Sequence, residues 1–307
     1  MSDISVNLQR KISNAGELES VVRTMKALAA ASVSQYERAV QSLDEYYRTV
    51  RLGLAACLRQ GAPLLDGAAG GWQRPAATGV IVFGSDQGLV GQFNDELADF
   101  TAAVLNDLPG DTIIWAVGER VQLRLAHIGL VPEALFGVPN SINAITPLIA
   151  RLLIEIETQR EQGLLDQVYI FHNRPEPGAL YEPVSQRLLP LDETWQRDLL
   201  AQRWPTRNLP EAVGGETATL WALIREYLFV SLFRACTESL SSENASRLAA
   251  MQRAEKNIDE LLVELKLTYH RLRQSGIDAE LFDVISGFEA LTVPGRKAVQ
   301  SGNNQNN

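Results

Sequence analysis

Stepping from Leu8 alternately by three and four residues gives Lys11, Ala15, Leu18, Val22, Met25, Ala29, Ser32, Tyr36, Ala39, Leu43, Tyr46, Val50, Gly53 and Cys57. Most are apolar or small, and no proline interrupts before Pro63. A 3,4 spacing held this long marks the narrow seam of a coiled coil, not the broad stripe of an ordinary globular helix. The other end repeats it at Leu248, Met251, Glu255, Ile258, Leu262, Leu265, Tyr269 and Leu272, with Glu255 the one misfit. Beyond Leu272 the phase slips, and Leu281, Ile285 and Phe288 form the next stripe, as a stutter does.

These patterns predict an N-terminal helix roughly 80 Å long and a C-terminal one, from about Glu216 to Leu291, of more than 100 Å. Neither buries its stripe alone. Antiparallel pairing within one chain buries both, and leaves roughly 20 Å of the second helix without a partner. The alanines of "TMKALAAAS" (Thr24–Ser32) favour helix and keep the shaft thin. They suit close helix approach, free passage past a neighbour, or an ordinary coiled coil with no moving part.

The middle of the chain has a different period. Apolar runs at Gly79–Gly84, Thr112–Gly118, Gln167–His172 and Val184–Leu191 read as strands. Helical patterns separate them at Phe93–Leu108, Glu119–Gly129 and Ile145–Gly163. That alternation predicts an α/β fold with a small, mainly parallel, Rossmann-like sheet inserted between the long helices. The expected division is a coiled-coil helix over 1–60, an α/β domain over 75–203, a second coiled-coil helix over 211–291, and a flexible tail over 292–307. Leu65–Gly79 and Arg203–Glu216 are the linkers.

Residues 60–219 carry 10 basic and 20 acidic side chains of the chain's 28 and 37. An acidic middle argues against nucleic acid as a partner, because phosphate neutralisation needs clustered Lys and Arg. The amino terminus has no signal-peptide pattern. The most apolar window, Leu220–Cys236, is broken by Arg225, Glu226 and Arg234, so no membrane span is expected. Cys57 and Cys236 read as reduced thiols buried in helices.

The first candidate for chemistry is "GSDQGLVGQFN" (Gly84–Asn94), a Gly-rich loop after a strand. It lacks the spacing of either nucleotide-binding fingerprint, and no lysine occurs between Lys26 and Lys256 to meet a phosphate. Asp86 would set a carboxylate beside one. The loop reads better as a tight strand-to-helix turn built on Gly88 and Gly91, with Asn94 or Asp95 capping the helix. The three histidines, His127, His172 and His270, are scattered without a second metal ligand at suitable spacing. No catalytic residue, cofactor or metal site is expected.

Three motifs resemble the γ subunit of F-type ATP synthases. "LQRKISNAGELESVVRTMKALAAAS" (Leu8–Ser32) is similar to that family's N-terminal helix, and "SDQGLVGQFN" (Ser85–Asn94) to its foot signature. "SLSSENASRLAAMQRAEKNIDELL" (Ser239–Leu262) and "RLRQSGIDAELFDVISGFEAL" (Arg271–Leu291) are similar to its C-terminal helix. The resemblance implies a non-catalytic central stalk that couples ion-driven rotation of a membrane c ring to conformational change in catalytic β subunits. Its partners would be the α and β subunits of the F1 ring, ε and the c ring, at the cytoplasmic face of a bacterial inner membrane. It further implies contacts to β from Met25, Lys26, Arg247, Arg273 and Gln274, with Arg247 close to Met25 across the coiled coil. Leu281, Ile285 and Phe288 would line an apolar bearing at the apex, and Asp86, Gly88, Gly91 and Asn94 would belong to a foot loop that binds no nucleotide.

The chain departs from the family pattern at Ser32, Gln87, Val90 and Asp278, and in the extension 292–307. Two other readings follow from the residues alone: a nucleotide-binding α/β protein with helical arms, and a static coiled-coil scaffold.

Overall fold

A computed structural model describes residues 3–60, 77–191, 193–206, 208, 210 and 216–292. The linker expected at 65–79 lies outside them up to residue 76, as do the tail beyond 292 and parts of the second linker. Two helices dominate, α1 (Asp3–Arg59) and α6 (Glu216–Thr292), of 57 and 77 residues. Between them come β1 (Ala77–Phe83), α2 (Phe93–Asn106), β2 (Thr112–Val117), α3 (Glu119–His127) and β3 (Ala134–Phe136). There follow α4 (Ile142–Glu161), β4 (Leu165–Arg174), β5 (Glu182–Leu189) and α5 (Glu193–Leu200).

The chain separates into two compact units, one of residues Thr24–Gln252 and one of residues up to Arg23 with those from Arg253 on. In the larger unit the five strands form one sheet in the order β3-β2-β1-β4-β5. β1 to β4 are parallel, and β5 is an antiparallel edge. β1 reads ATGVIVF because a central parallel strand is covered on both faces, so apolar residues run along it instead of alternating. One face packs Val80 and Val82 against Leu97 and Ala98 of α2 and Val121 and Leu125 of α3. The other packs Ile81, Phe83 and Ile170 against α4, against Leu232, Cys236 and Leu240 of α6, and against Tyr36 of α1. A third cluster joins Val50–Leu58 of α1 to Leu199 of α5 and to Leu220, Ile224 and Tyr227 of α6.

Within this unit α1 and α6 run antiparallel. Tyr46 Oη donates to Glu226 (2.7 Å), Asp44 pairs with Arg234 (3.3 Å), and the Tyr47 and Tyr227 rings stack. The α6 stretch from Val230 to Glu243 has no exposed residue, because α1 and the sheet enclose it. In the other unit Ala15 and Leu262 are buried, and Glu255 meets Arg23 at 3.4 Å. An ion pair therefore accounts for the charged residue in the α6 seam.

The α6 seam follows the expected residues, since Met251, Glu255, Ile258, Leu262, Leu265, Tyr269 and Leu272 are all buried or partly buried. On α1 the period is right but the covered stripe is wider than the expected seam. Met25, Ser32, Ala39 and Gly53 are covered as expected, and so are Ile12, Glu19, Lys26, Val33, Val40, Tyr47 and Leu54 beside the expected positions. Lys11, Leu18 and Tyr46 point outward.

Three elements differ from expectation. β3 is only three residues long, too short to stand out as a run. α5 lies between the last expected strand and the second linker, in a stretch given no element. β5 reverses direction because only a tight connection, not a helical crossover, separates it from β4.

Candidate functional site

The Gly-rich loop links the end of β1 to α2. Gly84 begins it because a Cβ there would lie 2.3 Å from Val121 Cβ. Gly91 turns the chain in the left-handed region (φ 61°), and Leu89 shares that conformation (φ 62°) where Gly88 was expected to. Asp86 uses both carboxylate oxygens on backbone, accepting from the Glu119 N–H (3.0 Å) and the Val138 N–H (2.9 Å). It thereby ties the loops after β2 and β3 to the loop after β1. Gly118 completes the junction at φ 117°, where a Cβ would meet the Ser85 backbone at 2.7 Å.

Asn94 does not cap α2, and neither does Asp95. The N-cap residue is Gln92, with no side-chain cap bond. The Asn94 amide turns back to Ser85, accepting from its N–H (3.0 Å) and donating to its Oγ (2.8 Å). Asn173 of β4 donates to the Phe93 carbonyl at 2.9 Å. The loop's polar groups thus face the chain itself, which is an anchor's arrangement and not a phosphate cradle's.

Sheets of this kind bind ligands in the crevice outside the carboxyl ends of the strands, where the strand order reverses. Here that point lies between β1 and β4, and α6 fills it. Ser239 Oγ donates to the Phe83 carbonyl (2.8 Å), and Ser246 Oγ donates to the Val90 carbonyl (2.5 Å). Glu238 meets His172 Nε2 at 2.7 Å and Arg234 Nε at 2.7 Å. Burial pushes the Glu238 carboxyl up, but the hydrogen bonds and charges of His172 and Arg234 outweigh it and hold the group below the ordinary range. Glu243, also buried on α6, shifts the other way. Desolvation and the Asp86 charge raise it more than Arg247 lowers it.

Among the remaining expected residues, Met25 and Lys26 sit partly buried on α1. The Arg247 guanidinium is held on its own helix by Glu243 (2.6 Å) and Asn244 (3.4 Å), with 13% of its side chain exposed. Arg273 and Gln274 are exposed, as is every described side chain from there to Phe288. Leu281, Ile285 and Phe288 are 57%, 45% and 68% exposed. The sequence reading missed that Ile277, Phe282 and Val284 join them, widening a stripe into a broad apolar arc. Their helical spacing to Leu281 and Ile285 was the available signal.

Cys57 and Cys236 are buried thiols with no disulfide between them, and burial followed by the nearby Glu243 charge pushes the Cys236 thiol far up. Among the described residues no group of three or more His, Cys, Asp or Glu is placed to hold a metal ion, and no helix is long and apolar enough to cross a membrane.

A family model described as ATP synthase matches residues 6–291. The chain is 26% identical over 299 residues to the ATP synthase gamma chain of Syntrophus aciditrophicus (strain SB), covering 93% of this chain and 97% of that one. It is also 26% identical over 303 residues to the ATP synthase gamma chain of Dehalococcoides mccartyi (strain CBDB1), covering 92% and 98%. Among solved structures, a chain of the Euglena gracilis mitochondrial ATP synthase, OSCP/F1/c-ring, shares the fold with a TM-score of 0.63 at 16% identity, covering 98% of this chain and 99% of that one. A chain of the Tetrahymena thermophila mitochondrial ATP synthase central stalk/c-ring matches with a TM-score of 0.54 at 22% identity, covering 76% and 99%.

Proposed function

Because the chain belongs to the ATP synthase family along nearly its whole length, we propose that it is the central rotor stalk of such a complex, with no active site of its own. It couples ion-driven rotation of a membrane c ring to conformational change in catalytic β subunits, for ATP synthesis and hydrolysis. Residues 1–60 and 211–291 supply the shaft, 75–203 the foot and 292–307 a tail. Its partners are the α and β subunits of the F1 ring, ε and the c ring. Its place is the cytoplasmic face of a bacterial inner membrane, held there through the complex.

The observation that carries this reading is the end of α6. From Arg273 to Phe288 every side chain is exposed, and this stretch carries Ile277, Leu281, Phe282, Val284 and Ile285 on its surface. An apolar arc of this extent on a water-soluble helix marks a surface made for a partner. A surrounding ring of α and β subunits supplies that cover, and Leu281, Ile285 and Phe288 act as the bearing. Exposed Arg273 and Gln274 are suited to hydrogen bonds with a β loop. Met25, Lys26 and Arg247 contribute further β contacts, Arg247 with less freedom because Glu243 holds it. Each angular position of the shaft then favours one β conformation over another through differential contacts. The foot loop of Asp86, Gly88, Gly91 and Asn94 fixes the domain internally and binds no nucleotide.

The test is reconstitution of the full chain with partner α and β chains. The expected result is a stable assembly whose ATPase activity falls sharply when residues 276–307 are deleted. A cysteine in place of Ile285, tethered to the ring, should stall turnover until it is reduced. No assembly, or ATPase activity indifferent to both changes, defeats the reading.

A further inference from the structure

A cavity of about 350 Å³ lies between α1, the β4–β5 edge and α6 in the larger unit. Its wall carries three guanidiniums from three elements, Arg51, Arg174 and Arg234, against a single carboxylate, Glu238. That carboxylate is already shared by His172 and Arg234. Asp44 and Glu182, which pair with Arg234 and Arg174, stand outside the wall. Arg51 meets no carboxylate among the described residues; the Gln202 amide, turned so that its oxygen faces the guanidinium, accepts from Nε (3.1 Å) and Nη2 (2.8 Å).

Arg51 and Arg234 also lie over one ring, that of Tyr47, at 5.7 and 5.5 Å from its centre. Two cations on one aromatic ring are each attracted to it, but they repel one another through a partly desolvated space. His172 adds a second unsettled group. With Nε2 on Glu238, its buried Nδ1 has no partner among the described residues. Ser185 places a hydroxyl on the open side of the same wall.

We infer that this cavity is an anion site for a tetrahedral oxyanion of the phosphate class, held mainly between Arg51 and Arg174. Guanidinium forks match such an anion in geometry as well as charge, and converging from separate elements they bind it more firmly than any one of them. A chloride ion offers no such match. The site stands apart from the stalk reading: phosphate binding by the chain alone neither requires nor reports rotation.

The experiment is calorimetry on the full chain, titrated with sodium phosphate at ionic strength held constant with chloride, with phosphorus NMR line broadening as a second readout. The expected result is one saturable site per chain that sulfate competes for. Arg51→Gln and Arg174→Gln should each weaken it at least tenfold. Ser185→Glu, on an exposed position that folding tolerates, should abolish it by placing a carboxylate in the wall. Circular dichroism confirms that each variant folds. Absence of saturable binding, or an affinity unmoved by Ser185→Glu and by whichever arginine variants fold, overturns the inference.

Discussion

At the scale of single residues, Glu238 is the group whose chemistry reaches farthest, since it joins the sheet at His172 to α6 at Arg234. Folded, it binds its proton more weakly than the ordinary carboxyl value of about 4.5. Its contribution to stability is therefore complete above that value and fades as pH falls through the lower folded value. Urea unfolding of the full chain should show Glu238→Gln less stable at pH 7 by about 2 kcal/mol, the scale of hydrogen bonds to a charged group. The gap should begin to close once pH falls below about 4.5 and vanish below the lower folded value, where the native carboxyl is protonated too. A gap that stays constant with pH contradicts this account. Cys236 offers a second check. Burial keeps its thiol protonated far above neutrality, and Cys57 is buried as well. Native chain should resist iodoacetamide at pH 8, while urea-unfolded chain takes up label at both cysteines, counted by mass spectrometry.

At the scale of elements, the junction of three loops at the carboxyl ends of β1, β2 and β3 is the point least tolerant of change. Gly118→Ala combines a left-handed backbone conformation with a collision against Ser85. It should cost at least about 2–3 kcal/mol, read as a lowered melting temperature with loss of far-UV signal at an earlier point in a thermal scan. The long helices and four of the strands were legible from sequence, because their periods of 3.5 and their continuous apolar runs are strong local signals. The exact covered face of α1 was not, since Ile12 lies beside Lys11, Glu19 beside Leu18 and Tyr47 beside Tyr46, and a 3,4 count does not choose between neighbours. Only the surface that α1 meets chooses between them. Nor was the work of Asp86 and Asn94 legible. The motif marked the loop as special, but their partners, Glu119, Val138 and Ser85, are set by how loops converge in space. The exposure of Arg273, Gln274 and the apical residues was readable because it follows from the loss of a partner helix. The Glu243 pairing that restrains Arg247 is an i, i+4 contact on one helix face, a spacing already visible in the sequence.

At the scale of the whole molecule, the two kinds of surface on α6 lead to opposite expectations. Replacing Leu281, Phe282 and Ile285 together by serine should leave the melting temperature of the isolated chain within about a degree, because exposed side chains contribute little to folding. The same triple change should lower ATPase activity and assembly yield when α and β chains are added. Replacing Leu232 and Leu240, both buried against the sheet, by alanine should do the reverse in order, destabilising the isolated chain by several kcal/mol before any partner is present. A triple variant that unfolds on its own would show the apical arc to be part of the core.

The serines of α6 at the strand ends have one more consequence. In related sheet architectures that gap is a vacancy kept for guests; here Ser239 and Ser246 make it a weld. A compound designed to lodge there must first prise the helix from its seat, so its occupancy would be measured as unfolding and not as inhibition.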